Sequence, residues 1–377
     1  MAIEYVEIRS ATDRGIVGIV DTAKSIIWRD VYYGVGDFEV YAPCTPENVA
    51  YLVAGNYVTR YDARNVGIIE RVNATHNAQD GRMIIAKGRF TKSILDRRII
   101  YKRSGYRVIP TVLRGNVEAA ARTLVNNNAI ACAFDSGRNI PELALGAYAG
   151  TTATITDETG AAAQKQVTHD NLLTYTDSLL AEYGMGAYCG INDASKLAYT
   201  VFAGVDRSTD NTAGNAPVIF SQDFDNLLTS EYAYDTTALK NTALIGGEGE
   251  GDERFHSIVK SATVTGLARR EIFVDASGHS KTYKDDTDTE QTLTDAEYDG
   301  QLKALGRQDL AGHTIVETFD GGIDLTNGVY QYGRDYYLGD IVTVSDVDLG
   351  KYINPRILEV TEVQDDNGYQ ISAKYGK

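Results

Sequence analysis

The sequence contains little cysteine and histidine. Its three cysteines, Cys44, Cys132 and Cys189, lie far apart, so neither a disulfide framework nor a four-ligand zinc site is expected. We interpret them as small buried side chains of a protein made in a reducing cytoplasm. The five histidines are isolated and form no HExxH or H-x-H pattern. We therefore interpret them as packing or surface residues and not as metal ligands.

Long apolar runs are also missing. No stretch of about 18 apolar residues occurs, so no membrane span is expected. The first ten residues carry Glu4 and Glu7 and lack a basic region followed by an apolar stretch, so we expect no signal peptide. The 43% hydrophobic and 23% charged content is that of a soluble globular protein. A chain of 377 residues is long enough for two or three domains.

Motifs of catalysis are absent as well. The sequence has no GxSxG elbow, no Walker A pattern and no CxxC pair. Residues 247–251 read GEGEG and resemble a phosphate-binding loop, but the glutamates would repel phosphate, so we interpret 246–253 as a flexible polar loop. Neighbouring carboxylates such as Asp223 and Asp225 arise without a site in a chain with 52 acidic residues. We predict that the protein is not an enzyme, with no catalytic residues and no cofactor.

One acidic segment has part of a calcium-binding pattern. Asp286, Asp288 and Glu290 place carboxylates at alternate residues, and Glu297 lies at the offset of the bidentate glutamate of an EF-hand. The loop position that is normally glycine holds glutamine, and Glu297 is also explained by a helix capping box that begins at Thr294. The alternative is a solvated acidic loop before a helix. We favour this alternative because the calcium pattern is incomplete.

The charge of the chain, −16 in total, is unevenly distributed. Residues 1–150 hold 19 Lys and Arg against 15 Asp and Glu, a net +4, whereas residues 151–377 hold 17 against 37, a net −20. The segment 87–114 is strongly basic, with Asp96 as its single acid. Its basic residues are Lys87, Arg89, Lys92, Arg97, Arg98, Lys102, Arg103, Arg107 and Arg114.

This basic segment predicts an electrostatic contact. A basic patch can indicate nucleic acid, but the acidic remainder of the molecule would repel a polyanion, so no specific nucleic-acid binding is expected. An acidic partner surface, such as another copy of this chain, explains the asymmetry better. Arg97, Arg98 and Arg103 are the interface candidates. The alternative is that these arginines cover a solvated face or line a tube.

Short strands joined by turns dominate the predicted secondary structure. Alternating apolar and polar residues predict a meander of strands over 1–100, with a hairpin turn at Asp80-Gly81. Strand-like residues return after His313 and include 336–344. Asp366-Asn367-Gly368 marks the last hairpin turn. The 25 tyrosines suit half-exposed strand faces and contact surfaces.

Helical patterns are fewer and lie between the β regions. The first predicted helix, 117–125, follows an N-cap at Asn116 and ends in three asparagines at 126–128. Capping and periodicity predict two more helices: 170–183, which Gly184 ends, and a helix from the capping box at Thr294 to about Leu305.

Several segments resemble motifs of a known protein family. Gly34-Val35-Gly36-Asp37-Phe38-Glu39-Val40 resembles the early strand of phage tail proteins of the baseplate-hub and tail-associated class. Gly67-Ile68-Ile69-Glu70 and Ala86-Lys87-Gly88-Arg89-Phe90 are similar to the next strand pair of that class. Residues 337–344 (YLGDIVTV) and 357–360 (ILEV) are similar to its closing strands. The resemblance covers both ends of the chain in the right order.

The resemblance implies a mainly β fold with α+β inserts, built from two antiparallel β-barrels of the baseplate-hub type. On this interpretation 1–110 is the first barrel and 111–205 an α+β insert. Residues 206–280 and 311–377 form the second barrel, interrupted by a small helical insert at 281–310. The resemblance also implies a homotrimer whose six barrels make a pseudo-sixfold ring. Such a ring would lie between distal tail or tube ring proteins and a tip spike or fibre.

The predicted function is that of a structural hub protein in the tail tip or baseplate of a virion. It would be made in the host bacterial cytoplasm and serve host attachment and genome ejection. The resemblance fits a phage tail and a bacterial phage-like injection particle equally. Longer members of the class continue into a lysin or fibre region, and this chain stops at Lys377, so we expect any cell-wall hydrolase to be another polypeptide.

The alternative is a carbohydrate-binding or carbohydrate-cleaving tail protein. Trp28, the single tryptophan, counts against it, because sugar platforms favour tryptophan.

Overall fold

The computed structural model describes residues 3–77, 81–156, 160–260, 263–284, 289–323 and 329–376. Strands dominate it, which confirms the expected mainly β fold. Up to residue 114 the elements are β1 (Val6–Arg9), β2 (Ile16–Val20), β3 (Ser25–Val31), β4 (Asp37–Pro43), α1 (Pro46–Tyr51), β5 (Tyr57–Thr59), β6 (Gly67–Ile68), β7 (Arg71–Asn77), β8 (Gly81–Arg89), β9 (Lys102–Ser104), β10 (Arg107–Ile109) and β11 (Thr111–Arg114).

The rest of the chain mixes helices with further strands. The middle part contributes α2 (Val117–Val125), β12 (Leu143–Leu145), β13 (Gln164–Val167), α3 (Leu172–Glu182), β14 (Met185–Ile191) and β15 (Leu197–Ala203). The last part contributes β16 (Ile219–Ser221), β17 (Leu227–Asp235), β18 (Thr242–Gly246), β19 (His256–Lys260), β20 (Glu271–Asp275), β21 (Thr282–Lys284), β22 (Glu290–Thr292), α4 (Asp295–Ala311), β23 (Val316–Ile323), β24 (Thr343–Asp346), β25 (Lys351–Ile353), β26 (Arg356–Asp365) and β27 (Gly368–Gly376).

An eight-stranded antiparallel sheet, counted over the described residues, joins the early and late parts of the chain. Its strand order is β17-β23-β27-β26-β3-β4-β8-β7. β3 and β26 pair at the seam, where Val31 lies opposite Glu359. Every second residue of β3 is buried, namely Ile26, Trp28 and Asp30. This alternation is the signature of a strand with one face toward a core.

Trp28 lies in the core beside the early half of this sheet. Its ring centroid lies 4.7 Å from that of Phe90 and 6.1 Å from that of Phe38. Val6 and Ile8 of β1 belong to the same buried cluster. The four-stranded sheet β2-β1-β5-β6 therefore packs against this half of the large sheet.

A second aromatic core lies beside the late half of the sheet. The ring of Phe220 on β16 lies 5.2 Å from Tyr336 and 5.8 Å from Tyr375, centroid to centroid. Val344 of β24 shares this cluster. The three-stranded sheet β16-β24-β25 thus covers the late half, as the four-stranded sheet covers the early half.

The sheets are open where the structure describes them, since none closes into a barrel. The helix of the predicted insert 281–310 shares a buried cluster with strands that precede it: Tyr298 and Leu302 of α4 pack with Ala243 and Ile245 of β18. The two-barrel arrangement and the boundaries at 110, 205, 280 and 310 stay predictions. No helix of the described part is long and apolar enough to cross a membrane.

The hairpin turns lie where the sequence predicts them. In the β26–β27 hairpin, Asp365 lies opposite Gly368, whose φ of 102° favours glycine. Gly81, also at positive φ, begins β8 opposite Asn77. Asp80, the other residue of that predicted turn, lies outside the described residues.

The helix starts predicted after Asn116 and at Thr294 are confirmed by their N-caps, whereas the helix predicted from residue 170 begins at Leu172, after an N-cap at Asn171. The side chains of Asn116 and Asn171 each accept a hydrogen bond from the backbone N–H three residues later, at 2.9 and 3.1 Å. Thr294 and Glu297 form the predicted capping box at the start of α4. Gly184, at a φ of 69°, follows the end of α3 as expected.

The predicted end of α2 at Val125 is confirmed, whereas the predicted end of the last helix near Leu305 is wrong. Helical structure continues after α2 through a π-helical turn, Asn126–Ile130. Asn128 is buried there and donates a hydrogen bond to the Leu124 carbonyl at 2.9 Å, so burial overrides the weak helix preference of asparagine. α4 continues to Ala311 because Leu310 packs on the α4–β18 cluster.

The strand predicted over 336–344 is wrong in its first part, since a regular strand begins only at β24 and the residues before it, Tyr336 and Ile341, form isolated bridges. The carboxylate of Asp340 explains the difference. It accepts hydrogen bonds from the backbone N–H groups of Val205 and Tyr337, at 2.7 and 3.0 Å, and from Arg207 at 2.9 Å. These three bonds hold a folded loop where the residue types alone favour a strand.

Candidate assembly surfaces

Part of the basic segment 87–114 is neutralised within the chain. Three of its side chains form ion pairs: Lys87 with Glu39 (2.5 Å), Arg89 with Glu70 (2.9 Å) and Lys92 with Asp177 (2.8 Å). The hydrogen bonds from Arg89 lower the pKa of Glu70. The positive charge available to a partner is therefore smaller than the sequence suggests, and it lies beyond residue 96.

The three interface candidates differ in their surroundings. Arg97 and Arg103 are exposed, and neither forms an ion pair with a described residue. Arg98 is half-buried, and its Nε donates a hydrogen bond to the carbonyl of Arg138 at 2.8 Å. Arg97 and Arg103 can meet a partner, whereas Arg98 also joins two parts of its own chain.

Arg103 lies on a short hairpin formed by β9 and β10, which we call the basic hairpin (residues 102–109). Within the described residues these two strands pair only with each other, with Arg107 opposite Ser104. Gly105, at a φ of 57°, allows the two-residue turn between them. Tyr106 at the tip is fully exposed. The hairpin thus presents a ring flanked by Arg103 and Arg107.

The three-stranded sheet β19-β18-β20 has two different faces. One face packs on α4, as described above. On the other face Ile258, Leu244 and Phe273 lie side by side, because Leu244 is the register partner of both neighbours. Their exposures are 43%, 39% and 51%. This outer apolar row is an exposed hydrophobic patch of the kind that marks contact sites.

An acidic turn (residues 248–253) follows β18. Its ends are joined by backbone hydrogen bonds from Gly247 to Phe255 and from Phe255 to Glu248, at 2.7 and 2.9 Å. The segment interpreted above as a flexible loop is therefore a hydrogen-bonded turn. Glu250 and Asp252 are exposed, as is Glu253. Negative charge thus lies at one end of the sheet that carries the outer apolar row.

The calcium candidates are not brought together by the described structure. Asp286 and Asp288 lie outside the described residues. Glu290 is exposed on β22, and the carboxylate of Glu297 accepts hydrogen bonds from the N–H and hydroxyl of Thr294, both at 2.8 Å. These bonds lower the pKa of Glu297. In the part of the chain that the structure describes, no group of three or more His, Cys, Asp or Glu residues is arranged to hold a metal ion.

A buried ion cluster lies at the seam of the large sheet. Arg60, 6% exposed, donates to both carboxylate oxygens of Glu362, 5% exposed, at 2.9 and 3.0 Å. It also donates to both oxygens of Asp62, at 3.0 and 2.9 Å. The guanidinium lies 5.4 Å from the centre of the Trp28 ring, and the Tyr369 hydroxyl donates to Glu362 at 2.6 Å. These contacts tie β26 to the early half of the chain.

Asp30 adds a second buried carboxylate beside this cluster. Burial raises its pKa to about 6, although a hydrogen bond of 2.7 Å from the Asn65 amide works in the opposite direction. Asp30 and Glu362 line a cavity of about 160 Å³. Arg64 lies at this cavity, over the rings of Phe202 and Tyr337 at 5.7 and 5.3 Å.

The sequence patterns gave no sign of the ion cluster or of the outer apolar row. Arg60 and Glu362 are 302 residues apart, so no local pattern connects them. Leu244 lies between Ala243 and Ile245, so β18 reads as an apolar run in which no alternation is visible. Ile258 and Phe273 also have apolar neighbours in their strands, so the exposed face had no signal in the sequence.

Comparison with known protein families gives a match over nearly the whole chain. The model of the family described as Siphovirus ReqiPepy6 Gp37-like protein matches residues 5–377. No curated protein sequence matches the chain.

Solved tail proteins from three bacteria are similar in structure. The tail protein from Neisseria meningitidis MC58 has 13% identity and a TM-score of 0.53, over 99% of this chain and 96% of that one. The 43 kDa tail protein of prophage MuSo2 from Shewanella oneidensis has 12% identity and a TM-score of 0.55, over 99% of this chain and 98% of that one. Prophage tail protein gp18 from Listeria monocytogenes EGD-e has 12% identity and a TM-score of 0.50, over 98% of this chain and 94% of that one. At these identities the similarity shows a shared fold alone.

Proposed function

Because the chain belongs to the siphovirus tail protein family of ReqiPepy6 Gp37-like proteins, we propose that it is the structural hub of a phage or phage-like tail tip. The observation that carries this proposal is the match to the family along residues 5–377, together with a fold shared with tail proteins over almost their full length. The protein is a phage tail component of the virion. The tail-tip position is the proposal.

In this proposal the hub is a homotrimeric ring. Two β regions per copy, 1–110 and the pair 206–280 with 311–377, form six similar units around the axis, and 111–205 and 281–310 are inserts. The ring joins a distal tail or tube protein to a tip spike or fibre and takes part in host attachment and genome ejection. The large sheet supports this arrangement, because the pairing of β3 with β26 joins the two β regions of one copy directly.

The proposed trimer can be tested by electron microscopy. The purified full chain at micromolar concentration should form particles with three-fold symmetry in negative-stain electron micrographs, because a hub must match three-fold and six-fold neighbours. Sedimentation should give a mass three times that of the 41.1 kDa chain. A particle that stays monomeric at every concentration, or that shows another symmetry, would contradict the proposal.

The absence of an activity is a second prediction. The purified protein should release no soluble fragments from peptidoglycan, polysaccharide or peptide substrates, because the sequence provides no nucleophile with a base and no metal-ligand cluster. The measurement is product release against a known hydrolase as positive control. Turnover that a single Asp→Asn or Glu→Gln change abolishes would overturn the prediction.

The carbohydrate-binding alternative loses support from the position of Trp28. The indole is buried between Phe38 and Phe90 and under Arg60. An indole in this position cannot stack on a sugar ring from solvent.

A further inference from the structure

We propose that the basic hairpin of one copy binds the outer apolar row of a second copy, next to the acidic turn. This inference rests on the proposed ring of identical subunits and specifies which surfaces meet. Both surfaces expose apolar side chains, they are similar in width, and the charges beside them are opposite in sign.

Among the residues that the structure describes, the basic hairpin has no third strand beside it. A two-stranded hairpin with no third strand is marginally stable in water, and this one also exposes Val108 besides Tyr106. Tyr106 is flanked by Arg103 and Arg107, and tyrosine and arginine are the residue types that dominate the energy of protein interfaces. The tip therefore has the composition of an interface anchor.

The outer apolar row offers a surface of matching size. Ile258, Leu244 and Phe273 occupy three adjacent strands and so extend over two strand spacings, about 10 Å. A two-stranded hairpin with its side chains covers a similar width. Because α4 covers the opposite face of this sheet, the row is the face that is left for a partner.

The charges beside the two surfaces are opposite in sign, and Arg254, which lies over the ring of Phe273 at 5.5 Å, is paired with Asp275. The turn segment 248–253 carries four carboxylates and no basic residue, and Glu250 and Asp252 are exposed. The basic segment has no acid between residues 97 and 114. In the hairpin Val108 lies opposite Arg103 on one face, and Arg107 points to the other face. In the sheet Leu244 lies two residues before the strand ends at the acidic turn. When the apolar parts meet, Arg103 is brought beside the carboxylates, and Arg107 adds positive charge from the other side of the hairpin.

The contact joins two different surfaces, so it runs head to tail. Within one copy Tyr106, Val108 and the outer apolar row are all exposed, so a copy does not cover its own row. A head-to-tail contact generates a ring when its rotation closes. The inference therefore supplies the proposed ring with its repeating contact.

A charge exchange tests the electrostatic half of this contact. Arg103→Glu with Arg107→Glu, and separately Glu250→Arg with Asp252→Arg, should each lower the association constant about tenfold at low salt. All four changes together should restore it to within about threefold of the parent. High salt should shrink these differences. The matched control is Lys24→Glu with Lys196→Glu, which makes the same change of net charge at exposed positions elsewhere and should leave association unchanged.

Two apolar changes test the other half. Leu244→Ser and Tyr106→Ser should each weaken association about ten- to a hundredfold at both salt concentrations, because the buried area is lost whatever the ionic strength. Sedimentation equilibrium gives the constants, and urea unfolding of each variant shows that the fold is kept. Tyr106 is fully exposed in the single copy, so the unfolding midpoint of Tyr106→Ser should match the parent's. Leu244 is 39% exposed and lies between Ile258 and Phe273, so Leu244→Ser should lower the midpoint while the unfolding transition stays cooperative.

The outcomes separate this contact from the hub assignment. Suppose that the parent forms three-fold rings, but the variant with all four charge changes associates no better than either double variant. The contact is then wrong and the hub proposal stands. The same conclusion follows if Leu244→Ser associates as tightly as the parent. If the parent is monomeric throughout, both are wrong. A membrane role for the hairpin is the remaining outcome. The parent would then bind vesicles of phosphatidylglycerol and phosphatidylcholine, and the Arg103→Glu, Arg107→Glu variant would lose this binding while its self-association stays unchanged. That result would overturn the proposal.

Discussion

Replacing Arg60 by methionine should lower the free energy of unfolding by about 3–5 kcal/mol, because the change leaves a buried carboxylate without its cation. Glu362 is 5% exposed and receives two hydrogen bonds from Arg60. After the replacement the Tyr369 hydroxyl remains as its partner, at 2.6 Å. One neutral donor does not compensate a carboxylate held away from water. Urea unfolding followed by tryptophan fluorescence measures the loss, since Trp28 lies beside the cluster.

Two further variants show whether the buried position causes the effect. Arg89→Met removes a similar bidentate pair with Glu70, but both side chains are partly exposed, so the cost should be about 0–1 kcal/mol. Arg60→Met combined with Glu362→Leu removes both charges and should recover most of the stability lost in the single variant. An Arg60→Met protein as stable as Arg89→Met would show that the cluster does not hold the seam.

Replacing Asp30 by asparagine should stabilise the protein at neutral pH and not at acid pH. Burial raises the pKa of Asp30 from 3.8 to about 6. A raised pKa in the folded state means that the contribution of this group to stability is fully present below about pH 4. It is lost as the pH rises through about 6. The difference corresponds to on the order of 3 kcal/mol at pH 8. Asparagine is neutral at every pH, and its carbonyl oxygen can still accept the bond from Asn65.

The measurement is urea unfolding of parent and Asp30→Asn protein between pH 4 and 8. The stability difference should be small at pH 4 and should grow with rising pH. Asp13→Asn is the control, because backbone and side-chain hydrogen bonds lower the pKa of this exposed carboxylate below 3.8, so its stability difference should stay flat between pH 4 and 8. Its contribution is present above the ordinary pKa of aspartate and is lost as the pH falls. A difference for Asp30→Asn that is flat from pH 4 to 8 would contradict the burial argument.

The local features of this fold could be predicted from the sequence because their causes are local. Alternation marks β1, the cap at Asn116 and the capping box at Thr294 mark helix starts, and glycine at 368 marks a turn. Each depends on residues within about four positions of one another. The order of motifs along the chain also identified the family, since order is visible without any pairing.

The long-range features could not be predicted because their partners are distant. Nothing near β3 shows that it pairs with β26, and nothing near Arg60 points to Glu362. The same limit affected the basic segment, where Lys92 is neutralised by Asp177. The folded loop at 336–341 depends on Asp340 meeting Val205 and Arg207, which come from another part of the chain. Candidate surfaces therefore became visible only when internal ion pairs could be told apart from exposed charges.

The pairing of β3 with β26 has a consequence for the nascent chain. About 330 residues separate the two strands, so at 5–20 residues per second the ribosome needs roughly 15–65 s to supply β26 after β3 has emerged. During that time β4 can pair with one edge of β3, while its other edge offers free N–H and C=O groups to any strand nearby. Arg29 and Asp30 place charges in the middle of that strand, a feature that discourages pairing between chains. The carboxylate that weakens the finished protein thus protects the unfinished one from its neighbours on the polysome.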